Sequence, residues 1–526
     1  MSTGVSRDTN FHPRMSSTAA ARIERALFDQ ARRVPWRVAL VDGDRELSFG
    51  DLAARAADCA LELRARGLAP GDRATIFLDK TPESVVALYG VWTAGGIAVP
   101  ASETLKARQL DHVVRHSESR FLLTDARKLG RTGFEPPRGT EVVLVGSGPA
   151  GPAGPGGPAG IDPLASAAPA GVRGEREPAA ILYTSGSTGR PKGIVLSHEN
   201  LRAGARIVAG YLGTSAEDRI LAGLPLAFDY GLNQPLIAVR CGATLVLQRS
   251  HFPADIARAL RAHRITTMAG VPPLWVQLMA PASPLRDLEL PDLHTITNSG
   301  GAFPVELLRR YRERLPGVRI FLMYGLTEAF RSTYLPPERI DERPRSIGKA
   351  IPETEILVLD PSGRPCEPGE VGELVHRGPT VALGYWRDPE ATARVFRPDP
   401  SGAPGLAVHS GDRVRRDEEG FLHYVGRADQ LLKCSGYRLN PEEVEEVLLA
   451  SGLVQEAVVR GEPDEAADTR VVAHVVPRAG GAFSAAALLD WCRREMPGYM
   501  VPARIVEHAA FPRTSSLKID RVSVRG

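Results

Sequence analysis

The chain has little cysteine, little lysine and almost no net charge, and each shortage removes a class of function. Its five cysteines (Cys59, Cys241, Cys366, Cys434 and Cys492) are widely spaced in 526 residues, with no CxxC pair and an odd total. That argues against a disulfide framework or a cysteine-based zinc site and fits a reducing, cytoplasmic compartment. A net charge of +3 supplies no basic face for nucleic acid or an anionic membrane. The N-terminal MSTGVSRDTNFHPRMSS has no apolar core, so no secretory signal is expected. The best candidate for a membrane span, the uncharged run 84–102, contains VWTAGGIAVP. Its glycines and proline predict a helix, a turn and a buried strand instead. Only seven lysines occur: Lys80, Lys106, Lys128, Lys192, Lys349, Lys433 and Lys518. In an arginine-rich background, a retained lysine marks places where a compact ammonium serves and a guanidinium fork would not fit.

The length implies at least two domains. From residue 21 to about 137, helical patterns alternate with short apolar strands (VALVDG, DRATIFLD), the signature of parallel βαβ units. The Gly/Pro/Ala-rich stretch 146–174 interrupts this pattern and reads as a flexible surface excursion. Alternation resumes through ATLVLQ, RITTMAGV, LHTITNSGG and VRIFLMYG, and 346–425 is richer in strands and turns. The last hundred residues read as a small α+β unit: PEEVEEVLL and SAAALLDWCRREM as helices, EAVVRG and VVAHVVP as strands. The expected architecture is therefore α/β: a large domain over 20–428 with layered, mostly parallel sheets and a β-rich subdomain, then a small α+β domain over 429–526. No internal repeat is evident.

Residues 183–200, YTSGSTGRPKGIVLSHEN, combine glycines, hydroxyl side chains and one of the seven lysines after an apolar strand and before a helix expected near Ser197. Glycine lets backbone N–H groups turn inward, and Ser and Thr add donors, so the loop suits an anion. Lys192 lies between Pro191 and Gly193, which fails the Walker A pattern. The spacing Gly186, Gly189, Gly193 likewise fails the dinucleotide fingerprint.

This loop resembles the signature of the AMP-forming adenylating superfamily, which includes acyl-CoA synthetases, adenylation domains and luciferases. Six further motifs follow in the family's order: NSGGAFP (298–304), YGLTE (324–328), GELVHRGPTVALGYW (372–386), HSGD (409–412), YVGRADQLLKCSGYRLNPEEVE (424–445) and PRTSSLKIDR (512–521). The resemblance implies that Thr184, Ser185, Gly186, Ser187, Thr188, Gly189 and Lys192 cover the ATP β/γ-phosphates. It implies that Thr327 meets the α-phosphate, Glu328 holds Mg²⁺ and Tyr324 stacks near adenine. Gly300, Gly301 and Ala302 would flank the adenine and acyl pocket, Asp412 would bind ribose, and Arg427 ribose or phosphate. Asp429 would be the hinge of the C-terminal domain, and Lys433 and Gly436 would line a phosphopantetheine channel. Lys518 would bridge the substrate carboxylate and the α-phosphate during adenylation. Here the chain departs from the family, which usually has glycine before that lysine where this sequence has Leu517.

The implied activity is conversion of a carboxylic acid to acyl-AMP with release of pyrophosphate, then thioester formation with CoA or a separate phosphopantetheinyl carrier protein. No carrier segment is expected after the last motif, and no membrane or nucleic-acid partner. The acid itself rests on LPLAFDYGLNQ (224–234), where Phe228, Asp229 and Gly325 would form the substrate pocket. Many acyl-CoA synthetases have histidine where Phe228 stands, whereas amino-acid-adenylating domains carry Phe-Asp with the Asp on the substrate ammonium. FDYGLNQ resembles the segment of exosortase-associated acyl-CoA ligases and of prolyl-AMP ligases. The acyl reading is preferred, with a free-standing amino-acid-adenylating enzyme as the alternative and a luciferase-like oxidative enzyme more remote. A non-catalytic relative would be expected to lack Lys192, Glu328 or Lys518, and all three are present.

Overall fold

A computed structural model describes residues 22–146, 176–184, 191–427, 432–434, 437–439, 441–464, 468–480, 483–496, 498–514 and 517–524. Ser185, Gly186, Ser187, Thr188, Gly189, Asp429 and Gly436 lie outside them, as does all but the first residue of the Gly/Pro-rich stretch. The fold is α/β, with a large N-terminal and a small C-terminal domain. Two sheets dominate the large domain. In one of seven strands, Arg73–Phe77, Ile97–Pro100, Phe121–Thr124, Glu141–Leu144 and Pro178–Thr184 run parallel. In the other, of fourteen strands, Val38–Asp42, Thr244–Leu247, Arg219–Ala222, Thr267–Gly270, Thr295–Asn298 and Arg319–Tyr324 form a parallel run. An antiparallel extension through Thr333–Leu335, Ser346–Ala350 and Leu422–Arg427 continues that sheet.

Helices buried nearly all round lie between the sheets. Every residue of Pro82–Ala94 is buried, and Asp229–Cys241 exposes side chains only at its C-terminal end. A helix without a polar face must be covered on both sides, and the two sheets provide that cover. One apolar core accordingly joins residues of both sheets, such as Ala98 and Leu182 with Leu221 and Ile296. The run 84–102 is therefore helix, left-handed Gly95 and buried strand, as its glycines and proline predict. No described helix is long and apolar enough to cross a membrane.

The C-terminal elements have their own core. A three-stranded sheet of Val454–Asp464, Asp468–Pro477 and Arg504–Glu507 carries the helices Pro441–Ala450 and Ala485–Glu495. Val444, Leu448, Val475, Leu488 and Cys492 pack together there. The boundary expected at 428/429 falls within undescribed residues.

The strand before the glycine- and serine-rich loop and the helix expected near Ser197 are both present, and the structure adds a strand, Lys192–Ser197, between loop and helix. Thr184 and Lys192 are cross-strand partners, so the loop closes an antiparallel hairpin between Pro178–Thr184 and Lys192–Ser197. The helix His198–Leu212 follows that second strand, and Ser197 caps it by accepting from the Asn200 amide. Its N-terminus is thus separated from the loop by a whole strand.

Candidate active site

The two flanks of the hairpin loop differ in what they touch. Thr184 ends its strand, while the Lys192 ammonium lies 5.2 Å from the centroid of the Tyr385 ring. The Tyr385 hydroxyl donates to Glu328 Oε1 at 2.7 Å, and Tyr385 is fixed by pairing of Gly384–Tyr385 with the Lys192 strand. Lys192 and Glu328, 136 positions apart, are thus joined through one phenol. Burial, with the Glu328 charge beside it, pushes the Tyr385 hydroxyl above its ordinary pKa, so it stays a donor. Tyr385 falls within the GELVHRGPTVALGYW motif, where sequence alone gives it no role.

On the other side, the strand Arg319–Tyr324 delivers Tyr324, whose hydroxyl donates to Asp412 Oδ2. Asp412 and Arg427 are cross-strand partners, with Nη1 3.7 Å from Oδ1. Burial and then Asp412 hold the Tyr324 phenol well above its ordinary pKa. A ring, a buried carboxylate and a guanidinium therefore stand together, a set able to accept from and donate to hydroxyl groups. Thr327 is buried.

The third group forms around Lys518. Its Nζ lies 5.1 Å from the centroid of Phe228, and a methyl built on Gly300 would sit 2.8 Å from its Cε. Gly300 is left-handed (φ 80°), and Asn298 Nδ2 donates to the Gly301 carbonyl at 3.0 Å, pinning the turn. Ala302 is exposed beside it. Burial lowers the Lys518 pKa; the Asp229 carboxylate opposes this, and Arg331 adds to it. Leu517 adopts the left-handed conformation (φ 67°) that glycine favours, at a cost of about 1–2 kcal/mol. The Leu517 amide donates to the Thr514 carbonyl at 3.0 Å, and the leucine side chain packs against the large domain's core, which glycine could not do. Lys433 lies in the short strand Leu432–Cys434, and its side chain, like Asp429 and Gly436, is outside what is described.

Were Lys518 to serve adenylation as the family resemblance implies, Gly300→Ala would lower ATP–pyrophosphate exchange by about tenfold or more, since a 1 Å misplacement at a reacting centre can cost 10²-fold. Thioester formation from supplied acyl-AMP should fall far less. An exchange rate within twofold of the parent would refute the contact's importance.

The substrate segment is where the structure adds most. Asp229 opens the helix Asp229–Cys241 and is buried, and its Oδ2 accepts from Arg331 Nη1 at 2.8 Å. Arg331, itself 2% exposed, stacks over Tyr230 with its guanidinium carbon 4.7 Å from the ring centroid. Gly325 allows this approach, because a Cβ there would be 3.2 Å from Arg331 Cα. Tyr230 in turn hydrogen-bonds Thr297. Behind it lies a cavity of about 30 Å³ lined by Tyr230, Asn233, Thr297 and Met323, room for about two water-sized groups.

Residues 27–386 match the AMP-binding enzyme family, and 443–518 match the AMP-binding enzyme C-terminal domain. The chain belongs to the AMP-binding enzyme family. This family member is 32% identical over 503 residues to one component of the linear gramicidin synthase of Brevibacillus parabrevis, covering 95% of the chain and 6% of that protein. It spans only that small part of the synthase's length. Feruloyl-CoA synthase of an Amycolatopsis species is 31% identical over 498 residues, with 94% of this chain and 97% of the relative covered. Among solved structures, o-succinylbenzoate CoA synthetase from Bacillus subtilis with its acyl-adenylate intermediate superimposes with a TM-score of 0.79 at 28% identity. That match covers 95% of this chain and 97% of the other, and the same enzyme has been solved with ATP and magnesium.

Proposed function

We propose that this AMP-binding enzyme activates a carboxylic acid as its adenylate at the expense of ATP, releases pyrophosphate, and transfers the acyl group to the thiol of CoA or of a phosphopantetheinyl carrier. The observation that carries the reading is the seat of Lys518. An ammonium from the small domain sits against Phe228 and Gly300 of the large one. Adenylation must bring a carboxylate up to a phosphate, two anions, and a desolvated ammonium between them lowers that barrier. Lys192, with Thr184 and the loop between them, would neutralise the departing pyrophosphate, while Asp412, Arg427 and Tyr324 hold the nucleoside.

Mg²⁺ fits the residues present. Among the described residues no cluster of three His, Cys, Asp or Glu could hold a metal. Magnesium on a nucleotide asks for less than that, one or two carboxylates with phosphate and water completing the shell. Glu328, oriented by Tyr385, is the carboxylate that would hold it, and the ion would shield phosphate charge. After adenylation the small domain would turn about Asp429, withdraw Lys518 and present Lys433 and Gly436 to the incoming thiol. The compartment proposed is the cytoplasm.

The substrate is proposed to be an acyl or aryl acid. Asp229 is what favours the amino-acid alternative, and the likeness to peptide synthetases supports it, but its carboxylate already has a cationic partner in Arg331. Pyrophosphate exchange across fatty, aryl and amino acids tests the reading. Exchange stimulated by at least one acid, followed by thioester formation with CoA or a carrier, is the expected result. No exchange with any acid would overturn it.

A further inference from the structure

We propose that Arg331 sets the class of acid this enzyme accepts: it is a built-in cation for Asp229, standing in for a substrate ammonium and reserving the pocket for carboxylic acids without an α-amino group. This rests on the carboxylate-activating reading above and deepens it.

The argument is one of charge in a closed space. Asp229 and Arg331 side chains are 4% and 2% exposed, so neither charge is shared with solvent. Arg331 Nη1 donates both to Asp229 Oδ2 and to the Phe330 carbonyl at 2.9 Å. Tyr230 and Phe330 take up its faces, with ring centroids 4.7 and 5.7 Å from the guanidinium carbon. Lys518 is the third charge here, near enough to feel both of the others. Lysine, arginine and aspartate together leave one positive charge around Phe228. A simple carboxylate brings the set to neutrality. An α-amino acid brings its own cation as well, leaves the excess charge in place, and sets its ammonium to compete with a guanidinium for one carboxylate. In a buried site an unmatched cation is costly. The amino-acid-activating pattern of Phe-Asp needs the aspartate to be available, and in this chain Arg331 has taken that place.

A second observation points the same way. Among the described residues, Arg331 Nε and Nη2 are buried without a hydrogen-bond partner. A guanidinium has five N–H donors, and those on Nε and Nη2 make no bond to protein. The cation is thus incompletely answered by Asp229 alone, which suits a site completed by a second, incoming anion rather than by a zwitterion.

The test compares matched pairs in pyrophosphate exchange: 3-phenylpropanoate with phenylalanine, propanoate with alanine, cyclopentanecarboxylate with proline. The parent enzyme should use the best amine-free acid at least 100-fold better than its amino-acid counterpart. Arg331→Gln, which frees Asp229, should move that ratio at least tenfold toward the amino acid. Arg331→Lys, which keeps the cation, should leave the preference in place. If Arg331→Gln does not fold, the charge-neutral double variant Arg331→Gln/Asp229→Asn is read instead, and the ratio should fall toward parity. A parent that prefers amino acids overturns the proposal. So does an Arg331→Gln variant that loses both members of a pair equally, an Arg331→Lys variant that shifts like Arg331→Gln, or a double variant that keeps the parent's ratio. Exchange with some acid but no shift of ratio defeats this inference alone, whereas no exchange with any acid defeats the ligase reading beneath it.

Discussion

Lys518→Ala should reduce ATP–pyrophosphate exchange by about 10²–10³-fold, the scale for removing one preorganised group that stabilises developing charge. Conversion of supplied acyl-AMP to thioester should stay within a few-fold of the parent. The asymmetry follows from where the side chain sits. Its ammonium is placed at Phe228 and Gly300 by a turn of the small domain in which the Thr514 amide donates to the Lys518 carbonyl at 2.8 Å. Leu517, against the large domain's core, holds that turn down. The slot is shaped for a narrow chain, since Gly300 leaves no room for a Cβ beside Lys518 Cε. Lys518→Arg should therefore fail to restore exchange, because a planar fork cannot follow the same path. Quantifying both half-reactions decides the matter. An equal loss in each would show that Lys518 supports the fold or the nucleotide generally and not the adenylation step.

Lysine scarcity makes this residue legible in the sequence alone. In a chain whose positive charge is nearly all arginine, Lys192 and Lys518 stand out by type as well as by motif. The small-domain helices and strands are equally readable, because apolar periodicity of 3.6 or 2 is a local property. What escapes is set by long-range pairing. Arg331 is one arginine among many, in a segment (AFRSTY) with no pattern of its own, and its partner Asp229 is 102 residues away. Tyr385 meets Glu328 across 57 residues by way of a strand pairing that no local pattern encodes. The hairpin around the glycine- and serine-rich loop is hidden for a different reason. GIVLS is set apart from the helix expected near Ser197, but the run is too short for periodicity to assign it as a strand. Leu517 is the opposite case: a leucine where the family has glycine puts the turn in question, and packing of the side chain accounts for the residue.

Gly231→Ala should cost about a hundredfold in exchange, although Gly231 is not expected to touch substrate. A Cβ at this position would lie 1.9 Å from the Pro225 carbonyl oxygen and 2.7 Å from its carbon. Both are backbone atoms, so no rotamer change relieves the overlap, and real contacts of this kind do not fall below about 3 Å. The first turn of the helix Asp229–Cys241 must therefore move away from the Leu224–Pro225 segment. Phe228 goes with it, because the Phe228 amide donates to the same Pro225 carbonyl at 3.1 Å and its own carbonyl accepts from Leu232. Asp229 is displaced from Arg331, and the surface on which the Lys518 ammonium rests is displaced from Gly300. A shift near 1 Å at reacting groups costs on the order of 10²-fold in rate. Overpacking of this kind also costs about 1–3 kcal/mol of stability. Exchange should fall by about that hundredfold factor, with a lowered unfolding midpoint, and ATP binding should persist if Tyr324 and Asp412 hold the nucleoside as proposed, because they share no backbone with the displaced turn. The dipeptide after Phe228-Asp229, which departs from the amino-acid-activating pattern, thus has a mechanical reason. Tyr230 covers Arg331, and Gly231 lets the helix start approach closely enough for Asp229 to meet it. Full exchange activity in Gly231→Ala would show that the Phe228–Asp229 turn can shift without consequence, and that the acid is held elsewhere.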